Sequence, residues 1–150
     1  MKLFISIISL IVIFSFGCNT TKTTKADGEM PEKDESSTWN PQLHDIWVLT
    51  MINGKQLDKN SSRPLLELFP GDNKMSGNGG CNSLFGTIEA KAESIHFSDI
   101  GSTKMFCKDE MPLEREFTQT LVKVDHYLVR NLQLVLYAGK ETAMIFQKVD

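Results

Sequence analysis

From residue 46 onward, apolar residues recur mostly at every second position. Trp47, Leu49 and Met51 share one face of a predicted strand, and Asn53-Gly54 behind them is a hairpin turn signal. Residues 55–63 are polar and read as a loop. Leu65–Phe69 is a second strand, closed by the turn cluster Pro70-Gly71-Asp72-Asn73. Further strands are predicted over Ser83–Ala90, where Gly86 suggests a bulge, and over Ile95–Ile100. The spacing changes to a helical one only after Pro112, with Leu113, Phe117, Leu121 and Val124 on one stripe. Pro112 suits a first turn, and Glu114, Glu116 and Lys123 suit the helix dipole. Leu132, Leu134 and Leu136 then alternate again, and Gly139-Lys140 turns into a last strand over Ala143–Val149. The pattern defines an α+β, mainly antiparallel β fold. It is one compact domain over 43–150, a curled sheet or small, partly open barrel with one amphipathic helix.

The chain is organised around Met75–Gly86, which holds four glycines and two asparagines in twelve residues with Cys81 among them. Such a stretch visits backbone conformations closed to most side chains. No Lys-Ser/Thr follows the glycines, so it is not a phosphate-binding loop.

Residues 1–17 form a basic start followed by an apolar run from Leu3 to Phe16. As a helix the run would reach about 21 Å, short of a roughly 30 Å hydrocarbon core, which suits an export signal. Cys18 follows Ser15-Phe16-Gly17, and the arrangement resembles a bacterial lipoprotein signal. The resemblance implies cleavage before Cys18 and acylation of that residue with fatty acid such as palmitate. Asn19 after it leans towards the outer membrane, facing periplasm or surface. Residues 18–42 are then a lipidated N-terminus with a tether, Thr-, Lys-, Glu-, Ser- and Asp-rich and too poor in apolar side chains to fold alone.

Net charge is −3, or −4 without the signal, which carries Lys2 and no acid. No basic stripe supports nucleic-acid binding. With Cys18 lipidated, Cys81 and Cys107 remain, and in an exported protein a disulfide is their simplest state. Free buried thiols and a reactive pair are the other readings, although their separation matches neither CxxC nor a zinc spacing. His44, His96 and His126 are scattered, so a metal triad would need the fold to gather them. Asp109-Glu110 and Glu114/Glu116 read as a solvated helix start, and Ser76, Ser83 and Ser102 lack a nucleophile elbow. No catalytic residue, cofactor or metal is assigned.

The ordered set Trp47-Val48-Leu49, Asn53-Gly54, Ser76-Gly77, Gly80-Cys81-Asn82, Phe85-Gly86, Thr103–Cys107, Glu116-Phe117 with Leu121, and Leu132/134/136 resembles the META/HslJ-like family of bacterial envelope domains. Phe106 departs from it, standing where a small residue is common. The resemblance implies a mainly antiparallel domain, often on lipoproteins and linked to heat-shock or antibiotic stress, and it brings no catalytic residue. The expected function is that of a non-enzymatic envelope lipoprotein with a stress-related or interaction role. Its partners would be the membrane, through the lipid, and an envelope protein or apolar ligand. The alternative is a barrel module binding a small ligand or lipid.

Overall fold

The computed structural model describes residues 38–149; the predicted signal, Cys18 and the tether up to residue 37 lie outside them. Nine strands and one helix follow in the order β1 (Ile46–Ile52), β2 (Lys55–Gln56), β3 (Leu65–Phe69), β4 (Lys74–Asn78), β5 (Ser83–Ala90), β6 (Ile95–Ser102), α1 (Met111–Leu121), β7 (His126–Arg130), β8 (Gln133–Ala138) and β9 (Glu141–Lys148). All pairings are antiparallel, in one sheet ordered β6-β5-β4-β3-β1-β9-β8-β7, with β2 paired to β1. The sheet curls until its two edges touch at one corner, where the Ile95 N–H donates to Asp125 O and the Tyr127 N–H to Glu93 O. The result is a half-barrel.

Side chains fill the inside of the curl. Trp47, Leu49, Leu66, Leu68, Leu134 and Phe146 are fully or almost fully buried, and Phe117 and Leu121 of α1 close over them. The Phe117 and Phe146 rings meet edge to face at 6.2 Å, so the helix is pinned to β9 at the centre of the core. The Trp47 indole N–H donates to Leu43 O, which satisfies its one polar atom inside the apolar core.

Several sequence expectations shift by a residue or an element. A register shift between Leu49 and Met51 turns the chain, so Ile52 rather than Met51 enters the core. Strict period two cannot foresee an extra residue in the ladder. Lys55–Gln56, read as loop, form β2 against Met51 and Ile52 after the Asn53-Gly54 turn. His126–Arg130, which carried no assignment, form β7, and Val124 is buried just beyond the end of α1. Leu132 is not a strand residue: it occupies the β7–β8 turn at φ +61° and faces solvent.

Packed chain also starts before Leu43. Trp39 lies against the core, and the Asn40 N–H donates to the Tyr127 hydroxyl, which itself donates to Lys91 O. Burial raises the Tyr127 phenol above its ordinary pKa, and the Asn40 N–H offsets part of that.

Candidate functional site

Of the glycine-rich stretch, residues 75–78 belong to β4 and 83–86 to β5, and only 79–82 form the connection, at the end of the half-barrel that α1 also occupies. It turns within four residues. The Gly79 N–H donates to Asn82 O, the Gly80 N–H to Asn78 Oδ1, and Gly80 sits at φ +110°, a conformation suited to glycine. Cys81 and Cys107 are joined here with Cα atoms 5.9 Å apart, inside the range a disulfide spans. The bond staples the loop before α1 to the β4–β5 corner.

Two buried or half-buried side chains complete the corner. The Asn82 carboxamide oxygen accepts from the Met105 N–H at 2.7 Å and from the Thr103 hydroxyl at 2.9 Å. Its amide nitrogen donates to Met105 O and to Glu114 Oε1. Glu114 Oε2 accepts from the Asn82 N–H at 2.6 Å and from the Cys81 N–H at 3.3 Å. Every polar atom of Asn82 therefore has a protein partner, and both Glu114 oxygens are engaged. Both oxygens of this carboxylate thus tie α1 to the corner. Sequence reasoning assigned Glu114 to the helix dipole and overlooked Asn82, because nothing local says that the helix lands on the corner.

The remaining candidate groups do not converge. Glu116 accepts from Asn53 Nδ2 and so secures the β1–β2 turn, away from Glu114's partners. The His44 ring packs edge-on against Phe69, and His96 stands exposed on β6 opposite Glu89. His126 opens β7, and its Nδ1 lies 2.7 Å from Asp125 Oδ1. That imidazole and the Gly139 N–H hold the Asp125 carboxyl below the usual carboxylate value. At Asp45 desolvation pushes upward, but the Lys148 ammonium at 2.7 Å and the Ile46 N–H outweigh it and leave the pKa lowered. Among the described residues no three or more His, Cys, Asp or Glu side chains are grouped to hold a metal ion. Nor is any helix among them long and apolar enough to cross a membrane.

What the corner does present is a pair of adjacent apolar side chains, flanked by exposed Lys104 and Lys108. Phe106, next to Cys107, is 83 % exposed and Met105 57 %, while the Met105 backbone is gripped on both its N–H and C=O by Asn82. These are large apolar side chains on a rigid mount.

A curled antiparallel half-barrel, plugged by one helix and locked by a cystine corner, defines a class of small β-domains. The chain belongs to the META domain family, whose model matches residues 41–150. It is similar in fold to the NMR structure of a protein from Burkholderia xenovorans, at 24 % identity and a TM-score of 0.57, covering 75 % of this chain and 90 % of that one. A second NMR structure matches at 20 % identity and a TM-score of 0.57, covering 74 % and 96 %. The crystal structure of a DUF4847 family protein from Bacteroides vulgatus matches at 18 % identity and a TM-score of 0.50, covering 71 % and 95 %. No curated protein matches the chain.

Proposed function

We propose that this chain is a non-enzymatic envelope lipoprotein whose META domain offers a rigid apolar loop to an envelope protein. One observation carries the reading: at the cystine corner Asn82 and Glu114 are engaged with each other, while Phe106 and Met105 face solvent. Because the backbone that carries them is already fixed, only side-chain freedom is lost on binding, which favours them as anchors. Delivery to the envelope rests on residues 1–18, whose pattern is that of an acylated export signal. A stress-related role rests on the family alone. The rival reading, an acyl chain held inside a barrel, has less room, because Trp47, Phe117 and Phe146 occupy the interior.

The test is capture from native envelope extract with mass spectrometry, comparing wild type with Phe106→Ala. A partner anchored by Phe106 loses about 2 kcal/mol, some thirtyfold in affinity, on truncation. The variant keeps its melting temperature, since Phe106 contributes almost nothing to the core. Equal capture by both proteins would sink the interaction role. For the anchor, Cys18→Ser abolishes fatty-acid labelling and moves the protein out of the membrane fraction; unchanged labelling would refute acylation at Cys18.

A further inference from the structure

The end of the half-barrel opposite the cystine corner carries an apolar edge that the core does not use. Backbone pairing puts the β7–β8 turn, the end of β9 and the start of β1 side by side there. The Lys148 N–H donates to Leu132 O at 2.8 Å, and the Val149 N–H donates to Ile46 O at 2.9 Å. Each contributes an exposed apolar side chain: Ile46 is 38 % exposed, Val149 42 % and Leu132 53 %.

Leu132 is the most unusual of them. Asn131 and Leu132 form the two-residue β7–β8 turn with φ of +50° and +61°. Asn followed by Gly makes such a turn with little strain, whereas a leucine is disfavoured in the left-handed region. The fold thus holds a large apolar side chain in an unfavourable conformation and directs it to water. Residues kept against backbone preference in this way point to a function. Arg130 and Gln133 flank the turn, both exposed.

The chain enters the domain at this same end. Pro41 and Gln42 share a cleft of about 330 Å³ with Leu132, Val129 and Trp47. Only nineteen residues separate Cys18 from Thr38, so even fully extended they reach no more than about 70 Å. We propose that this end is the face the domain rests on a lipid bilayer. Leu132, Ile46 and Val149 enter the interfacial region, and Arg130 lies at the level of the phosphate headgroups. The proposal rests on the lipoprotein reading for delivery to the membrane. It turns the Phe106 loop outward, towards a protein partner.

The test uses full-length acylated protein in vesicles of phosphatidylethanolamine and phosphatidylglycerol. A polarity-sensitive fluorophore is placed on Val149→Cys, beside the face, or on Val122→Cys, exposed just after α1 at the opposite end. With Cys18 acylated and Cys81 bonded to Cys107, each introduced thiol is the one that labels. The Val149→Cys probe shifts to the blue, and an aqueous quencher reaches it at least about threefold less well than the Val122→Cys probe. In a Leu132→Asn background, which suits the turn, that protection is lost while the fold is retained. Equal quenching at both positions in protein that floats with the vesicles overturns the proposal. So does protection that appears only with cross-linking between copies, which would assign the face to a second copy of this chain. A missing acyl mass on Cys18 refutes the anchor separately. Cys18→Ser protein held by an N-terminal histidine tag on chelating lipid then gives the same probe comparison.

Discussion

Cys81→Ala/Cys107→Ala protein melts about 14 °C below the wild type, because closing a loop of about 27 residues is worth roughly 3.5 kcal/mol at some 4 °C per kcal/mol. Reductant lowers the wild-type melting temperature by a similar amount and leaves the double variant unchanged. The reduced domain still folds, since no strand register depends on the bond and Asn82 continues to hold Met105. Loss of the cystine is felt mainly in the 103–110 loop, whose backbone amides exchange faster while those of β1 and β9 stay protected. Indistinguishable melting of oxidised and reduced protein would show that the corner is held by its hydrogen bonds alone.

Gly77→Ala costs about 3 kcal/mol, near the upper end for overpacking, or roughly 12 °C in melting temperature. Gly77 lies in β4 between Leu66 of β3 and Leu84 of β5. A Cβ added there would stand 2.2 Å from the carbonyl oxygen of Leu65, well inside van der Waals contact with backbone. Because a strand cannot rotate one carbonyl aside without losing its ladder, β3 and β4 must separate locally. Gly139→Ala serves as the comparison. Its added Cβ meets open space, and its penalty comes from φ +60° alone, about 1 kcal/mol. Thermal melts that rank the two substitutions in the reverse order would contradict the close approach of β3 to β4.

The positions that the sequence determined are those where a local rule suffices. Asn53-Gly54 makes the β1–β2 turn because both residues tolerate positive φ. Leu66 and Leu68 alternate inward because a strand has period two, and Phe117 and Leu121 face the core because a helix has period 3.6. Gly86 coincides with the register shift between β5 and β6. Cys81 and Cys107 were legible as a pair from their number and setting, although their placement at 5.9 Å is a property of the fold.

Tertiary structure decided the rest, in each case because the deciding contact lies far along the chain. Glu114 holds Cys81 and Asn82, more than thirty residues away, only because Phe117 docks α1 against β9. Met51 gives way to Ile52 because a bulge opposite β9 shifts the pairing. Leu132 leaves the alternating series because Arg130 and Gln133 pair and leave two residues for the turn. Length, patterning and turn chemistry thus fix an antiparallel domain with one helix. Which polar groups are spent on holding it, and which apolar ones are left facing outward, depends on how the curl closes.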